Sequence, residues 1–237
     1  MRCFIVIVMY LDVASSISFY GPVWSYDDES AWPGGYCKKG GKRQSPIDIQ
    51  TRNVIKDFDK QFIKYGPIKF IGYENVLLSG INNGHTIQFS TEGDKNMHPT
   101  ITGGPLKYLY RLEQLHFHWL SEHSINGFKK LLSPNKNSYF TYLGSLTSPE
   151  CNEVVVWIKF DEPIYISDAH YRLFGKIGIG RHNFRSLQKM RHQMVFAPPD
   201  PFIATPRAMV VVVDAFKLVA AFFRNVTRFV IKGFKSS

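Results

Sequence analysis

Polar and apolar residues alternate most clearly at residues 113–119. Successive side chains of a strand point to opposite faces, so the alternation predicts a strand with His116 and His118 on one face. Two imidazoles two residues apart on one face can converge on a cation, and catalytic zinc would need a third protein ligand from a neighbouring strand. The alternative interpretation is an aromatic-rich strand whose histidines are merely half exposed.

Apolar runs of strand length surround this stretch. We predict strands at 68–73, 76–79 and 86–90, with a turn at Asn82-Asn83-Gly84, because Asn and Gly tolerate positive φ. The unbroken apolar run within 152–160 predicts a strand covered on both faces. Residues 166–177 have helical spacing behind Ser167 as N-cap. Many strands with few short helices predict a mainly β or α+β domain with a large central sheet.

The two ends of the chain differ from this middle part. Residues 1–18 combine Arg2, an apolar stretch and small residues at 14–16, which is typical of a secretory signal peptide; a buried N-terminal strand is the alternative. In the tail 197–237, charged residues interrupt an apolar run too short to span a membrane. It indicates an amphipathic helix that can pack on the domain or associate weakly with a membrane. The domain itself is expected at 19–196.

Composition narrows the class of protein. A chain of 237 residues that is 44% hydrophobic can bury a sizeable core in one domain. The net charge of +10 comes from scattered lysines and arginines that form no recognisable nucleic-acid-binding motif, so no nucleic-acid partner is expected. Cys3 would leave with the signal peptide, and Cys37 and Cys151 would remain as an even pair in an oxidising compartment. These features predict a secreted, extracellular protein.

Six short motifs then follow one another along residues 24–196. They are Gln44-Ser45-Pro46-Ile47-Asp48-Ile49, Asn82-Asn83-Gly84-His85, Gly103-Gly104-Pro105-Leu106, Gln114-Leu115-His116-Phe117-His118-Trp119, Ser121-Glu122-His123 and Tyr142-Leu143-Gly144-Ser145-Leu146-Thr147-Ser148-Pro149. In this order they resemble the α-class carbonic anhydrases. The resemblance implies a central twisted sheet with few short helices, a Zn2+ cofactor, and a lyase that interconverts CO2 and bicarbonate.

The resemblance also implies roles for individual residues near the metal. His116 and His118 are the zinc ligands in the matching motif. Gln114 orients the ring of His116, and the backbone carbonyl of Asn183 orients the ring of His118. Tyr26 matches a tyrosine whose hydroxyl joins the water network of the site, with a plain aromatic surface anchor as the alternative.

Further residues match the family's catalytic and substrate-binding positions. Thr147 accepts a hydrogen bond from the zinc-activated hydroxide and donates one to Glu122. His85 matches the histidine that shuttles protons between the site and buffer. Leu146 and Trp157 match the apolar wall that receives CO2. Each role is an expectation carried over from the resemblance.

In the secreted members that this chain resembles, two cysteines stand at the positions of Cys37 and Cys151. The resemblance therefore implies a disulfide between them, which closes a long loop and stabilises the fold by about 4 to 5 kcal/mol in the chain-entropy model. Two unpaired structural thiols are the alternative.

The chain departs from the family after Phe128. There Lys129-Lys130 runs directly into Leu131-Leu132, whereas the family continues into a strand with the third zinc histidine and several dozen further residues. We expect an internal deletion that removes this ligand and leaves neighbouring strand edges without partners. The leading interpretation is a zinc-dependent carbonic anhydrase. The alternatives are a non-catalytic carbonic-anhydrase-related binding domain, and a splice form or incomplete gene model that does not fold alone.

Overall fold

The computed structural model describes residues 3–10, 24–74, 76–119, 121–128, 138–160 and 183–199. Strands dominate these ranges, and the helices there are short. The helical segments are α1 (Gly35–Lys39) and the 3-10 turns Glu29–Ala31, Thr51–Asn53 and Lys95–Met97. The strands are β1 (Cys3–Tyr10), β2 (Asp48–Ile49), β3 (Ile55–Lys56), β4 (Lys69–Ile71), β5 (Leu78–Asn82), β6 (Ile87–Thr91), β7 (Thr100–Gly103), β8 (Leu106–Trp119), β9 (Ser124–Ile125), β10 (Tyr139–Gly144), β11 (Val155–Phe160) and β12 (Phe196–Ala197).

The largest sheet is built around β8, which carries both candidate zinc histidines. Its strands follow the order β4-β7-β8-β6-β5, and β1 also pairs with β8. His116 is opposite Gln88 of β6 and also opposite Val6 of β1. Since a strand has only two edges, β1 and β6 lie on opposite edges of β8. The histidine strand is therefore central to its sheet.

The N-terminal apolar segment forms the strand β1. It runs antiparallel to β8, from Cys3 opposite Trp119 to Tyr10 opposite Arg111, with a register shift between Val8 and Met9. The sequence predicted a signal peptide at 1–18, with a buried strand as the alternative. The structure shows a strand at Cys3–Tyr10. Residues 11–18, with the expected cleavage site, lie outside the described residues.

Two smaller sheets complete the described structure. One has the order β11-β10-β12-β3, and the other pairs β2 with β9 in parallel. The expected mainly β fold with few short helices is confirmed. The strands are divided between separate sheets, because no strand in the described ranges joins β10 to the sheet of β8.

The core consists of two clusters whose residues come mostly from strands of different sheets. One cluster contains Ile47, Ile49, Ile125 and Tyr142, all nearly inaccessible to solvent. A second cluster surrounds Ile68, Ile101, Leu106 and Tyr139. Full burial of one such aliphatic side chain contributes about 1.5–3 kcal/mol. The disulfide implied by the resemblance is confirmed: Cys37 and Cys151 are bonded across 114 positions of sequence.

Predicted and observed strands differ most at β11. The apolar run 152–160 predicted a strand covered on both faces, but only Lys159 of β11 is buried, and Val154 just before it is 74% exposed. The prediction was wrong because, within the described ranges, β11 is the edge strand of its sheet and has β10 as its one neighbouring strand. An apolar run of this length does not distinguish an edge strand from a central one.

Other predicted elements have mixed outcomes. The strands expected at 68–73, 76–79 and 86–90 correspond to β4, β5 and β6 with shifted ends. The helix expected at 166–177 and most of the tail, 200–237, lie outside the described residues. Within the described part of the chain, no helix is long and apolar enough to cross a membrane.

Candidate metal centre

The two histidines of β8 face each other at close range. The Nε2 atoms of His116 and His118 are 3.0 Å apart, and their rings meet edge to face with centroids 4.9 Å apart. His118 is 1% exposed, whereas His116 is partly accessible. The alternating strand pattern thus brings two imidazole nitrogens to one point at the bottom of a partly open site.

The opposite nitrogen of each ring is fixed by an oxygen acceptor. Nδ1 of His116 lies 2.8 Å from Oε1 of Gln114, and Nδ1 of His118 contacts the backbone carbonyl oxygen of Asn183. Carbonyl and amide oxygens only accept hydrogen bonds, so each Nδ1 carries the ring proton. Both Nε2 atoms then present lone pairs to each other, an arrangement that a cation between them would stabilise.

Protonation of His116 is electrostatically unfavourable. Burial, and after it the charge of His118, hold the pKa of His116 well below its usual range. The neutral imidazole therefore prevails at pH 7. This is the form that binds metal ions through a ring nitrogen.

Glu122 places a buried carboxyl group beside the histidines. Its Oε2 lies 3.7 Å from Nε2 of His118, and the residue is only 3% exposed. Burial raises its pKa, against the lowering effects of His118, the Thr147 hydroxyl and Arg185. Neither carboxyl oxygen has a hydrogen-bond partner of good geometry among the described residues. A buried carboxyl group that has only loose contacts of this kind is costly, which indicates a site that accommodates a proton or a cation.

Thr147 reaches this carboxyl group from the loop that follows β10. The loop is anchored just before Thr147: Oγ of Ser145 accepts a hydrogen bond from the backbone N–H of Ser45 at 2.9 Å, and the Leu146 N–H donates to the carbonyl of Asn152 at 3.0 Å. Thr147 itself is buried and close enough to Glu122 to lower its pKa. The structure therefore brings Thr147 to Glu122, which lies four residues after His118, from a distant part of the chain.

The start of this loop requires glycine. A Cβ atom on Gly144 would lie 2.2 Å from Oγ of Ser45 and 2.8 Å from Cδ1 of Trp157. Trp157 in turn donates from Nε1 to the carbonyl of Ser145 at 3.0 Å. The expected wall residues Leu146 and Trp157 are thus both tied to the loop that carries Thr147.

The N-terminal arm covers the site with aromatic rings. Tyr26 meets His118 edge-on at a centroid distance of 6.1 Å, and burial, followed by the charge of Glu122, raises its pKa. Trp24 stacks on His85 with centroids 3.8 Å apart and nearly parallel planes. No role was predicted for Trp24, since a single tryptophan in an irregular arm carries no signal of its partner.

His85 is held at the rim by its turn. Oδ1 of Asn83 accepts the backbone N–H of His85 at 3.0 Å, and Nδ2 of Asn183 donates to the His85 carbonyl at 3.0 Å. Asn183 therefore connects the expected shuttle histidine to His118. Burial lowers the pKa of His85, which remains partly exposed.

Arg185 is a second residue that the sequence reasoning missed. Its Nη1 donates to Oε1 of Gln44 at 2.9 Å and to the carbonyl of Ser45 at 2.8 Å, and its guanidinium lies over the ring of Trp32. It thereby ties the Gln44-Ser45 motif to the irregular segment that contains Asn183. Arg185 stands two residues after Asn183, and this proximity to a residue with an expected role was the available signal.

A third protein ligand is not evident near the histidine pair. Among the described residues, no group of three or more His, Cys, Asp or Glu side chains is arranged to hold a metal ion. Nε2 of His123 is engaged with the Tyr142 hydroxyl at 2.6 Å, and burial lowers the pKa of His123 to about 3, so this ring is a neutral core residue. The residues present therefore fit Zn2+ at two of the three protein positions that a catalytic site uses.

Comparisons with known proteins agree on one family. The model of the eukaryotic-type carbonic anhydrase family matches residues 27–130 and 127–199. Putative carbonic anhydrase 3 of Caenorhabditis elegans is 28% identical, over 65% of this chain and 87% of that protein. Carbonic anhydrase 7 of Mus musculus is 28% identical, over 75% and 93%. Carbonic anhydrase 4 of Oryctolagus cuniculus is 27% identical, over 77% and 81%.

Proposed function

Because the chain belongs to the eukaryotic-type carbonic anhydrase family, we propose that its site catalyses the reversible hydration of CO2 to bicarbonate with Zn2+ as cofactor. Family membership supports CO2 hydration in general. The zinc dependence and the activity of this chain are the proposal. The observation that carries it is the pair of imidazole Nε2 atoms 3.0 Å apart, each with its Nδ1 turned to an oxygen acceptor.

His116 and His118 would hold the metal ion, with water at positions that no side chain fills. Zinc, when bound, supplies a Lewis acid that makes hydroxide available near neutral pH, and carbonic anhydrase is the standard example of this effect. Gln114 and Asn183 keep both rings in the orientation that presents Nε2. Such outer partners typically change metal affinity by about 10- to 100-fold.

CO2 itself is small and apolar, so its binding depends on an apolar surface that excludes water rather than on hydrogen bonds. Leu146 and Trp157 would supply this wall. Both are fixed by hydrogen bonds of the loop around Ser145, so the wall would be present before substrate arrives. Thr147 would orient the attacking hydroxide by donating its own hydroxyl proton to Glu122.

His85 would carry protons between the site and solvent. Burial lowers its pKa, so the neutral ring prevails at pH 7 and can accept a proton. For an active form we expect His85→Ala to slow CO2 hydration in dilute buffer, and added imidazole to restore the rate. Stopped-flow measurement with a pH indicator tests this. An unchanged rate in dilute buffer would rule out the shuttle role.

We also propose that the chain lacks an internal segment that its relatives carry. Two observations support this. The two segments that the family model matches meet at 127–130, where the third-ligand strand is expected. The alignment with the C. elegans protein spans 221 positions but covers only 65% of this 237-residue chain, so that protein has many residues without a counterpart here. Sequencing the transcript across Lys130 and Leu131 separates a real deletion from a splice form or an incomplete gene model.

A non-catalytic binding domain is the second candidate function. It is favoured by the absence of a three-residue metal group among the described side chains. CO2 hydration by the zinc-supplemented full chain, compared with His118→Ala, distinguishes the two candidates. A rate above background that His118→Ala abolishes supports the enzyme. A folded full chain no faster than His118→Ala supports the binding domain.

We further propose passage through the secretory pathway. The Cys37–Cys151 disulfide supports this, since disulfides persist mainly in oxidising compartments. The tail 197–237 would add weak membrane attachment.

A further inference from the structure

The edge of β8 next to the histidines is covered by the start of the chain. β1 pairs along residues 111–119 of β8, on the edge opposite β6. The chain segment after Phe128, which by resemblance would continue the sheet, is shortened by the proposed internal deletion, and the following inference rests on that deletion. An extended apolar segment from elsewhere in the chain therefore covers backbone that would otherwise lie open.

We propose that Cys3–Tyr10 is a structural strand of the folded protein that takes the place of the missing strand beside β8. This function competes with removal of the same segment as a signal peptide. A chain that keeps the segment has a closed β8 edge, and a processed chain has an open one. The proposal does not depend on metal binding or activity.

The sequence of β1 suits this position. It reads Cys-Phe-Ile-Val-Ile-Val-Met-Tyr, with β-branched and aromatic residues at most positions and no charge or proline. The neighbouring part of β8 is deeply buried: Phe117 is 0% and His118 is 1% exposed. A strand whose side chains are this deeply buried requires its backbone N–H and C=O groups to be paired on both edges. An unpaired apolar edge also promotes association between copies of a chain.

The register of the pairing provides a direct test in the full chain. Ile7 is opposite Leu115, whereas Tyr10 is opposite Arg111. Directly opposite residues have Cα atoms about 4.5–5.5 Å apart, within reach of a disulfide. With Cys3→Ser in the background, the pair Ile7→Cys and Leu115→Cys should cross-link nearly completely on air oxidation. The control pair Tyr10→Cys and Leu115→Cys, displaced by several residues and so by about 10 Å or more, should not.

Peptide mapping under non-reducing conditions measures both cross-links. Selective formation of the Ile7–Leu115 link supports the proposal. Equal yields in the two pairs, or no link in either, would overturn it.

Hydrogen exchange gives a second readout that needs no new cysteines. The double substitution Val6→Pro with Ile7→Pro removes two backbone N–H donors from β1. The matched control, Val6→Ile with Ile7→Val, only exchanges the two side chains. We expect amide exchange in 114–118 to rise at least tenfold in the proline variant and to stay unchanged in the control. Unchanged protection in the proline variant would contradict the proposal, whereas loss of protection, local or through global unfolding, agrees with it.

Discussion

A third imidazole introduced on β1 should convert the histidine pair into a stronger zinc site. Val6 is the residue of β1 opposite His116. Directly opposite residues of an antiparallel pair share a face of the sheet, with Cβ atoms about 4.5–5.5 Å apart. Val6→His therefore places an imidazole on the face of His116 and His118. Ile7→His, opposite Leu115, places the same group on the other face and is the matched control.

The size of the effect follows from known zinc affinities. Structural zinc sites with four protein ligands bind with about 10–16 kcal/mol, or roughly 2.5–4 kcal/mol per ligand. Ordering one more side chain removes about 1 kcal/mol of this. The remainder corresponds to zinc binding about 10- to 100-fold tighter in Val6→His than in the parent chain, since 1.4 kcal/mol is a factor of ten.

Competition with a chromophoric chelator at pH 7.5 measures this affinity. We expect Val6→His to bind zinc most tightly. The parent chain and Ile7→His should bind it more weakly and with equal affinity. Equal tightening in Val6→His and Ile7→His would show that a new histidine acts without regard to the face of the sheet. No tightening in Val6→His would show that β1 does not lie beside His116 in this register.

Three further predictions concern the surroundings of the site. Gln114→Ala should weaken zinc binding about 10- to 100-fold, because the ring of His116 loses the acceptor at 2.8 Å; unchanged affinity in the chelator assay would contradict this role. Burial lowers the pKa of His123 to about 3, whereas an unfolded histidine titrates near 6.5, so between these values the unfolded chain binds more protons. The contribution of neutral His123 to the free energy of unfolding is then fully present above about pH 6.5 and falls as the pH drops, by about 2–3 kcal/mol at pH 4.5. Urea unfolding at several pH values measures this. His123→Gln should lose this part of the pH dependence, and an equal dependence in the variant would refute the assignment. Replacing both Cys37 and Cys151 by serine should lower the free energy of unfolding by up to about 4–5 kcal/mol, and an unchanged urea midpoint would contradict a stabilising disulfide.

Much of the site could be predicted because its key residues are close in sequence. The alternation at 113–119 placed His116 and His118 on one face, and the motif context identified Gln114 and Asn183 as candidates for holding them. The disulfide followed from two cysteines at family positions. The contact of Thr147 with Glu122 depends on how the loop after β10 packs against β8, and only the resemblance anticipated it.

The remaining features depend on long-range packing that a local pattern does not encode. An apolar stretch of eight residues is typical of both a signal peptide and a buried strand, so a buried strand stayed one of two alternatives and its pairing with β8 was not predicted. The exposure of Val154 reflects the place of β11 at the end of its sheet. The stacking of Trp24 on His85 joins residues far apart in sequence, with no shared motif.

The central claim is that His116 and His118 together bind one divalent cation. Zinc content after dialysis of the folded full chain against micromolar free zinc, measured by native mass spectrometry, tests it most directly. Circular dichroism of each sample confirms that the proteins compared are folded. The account predicts one zinc ion per chain, lost in both His116→Ala and His118→Ala. A folded full chain that holds no more zinc than these variants would contradict it.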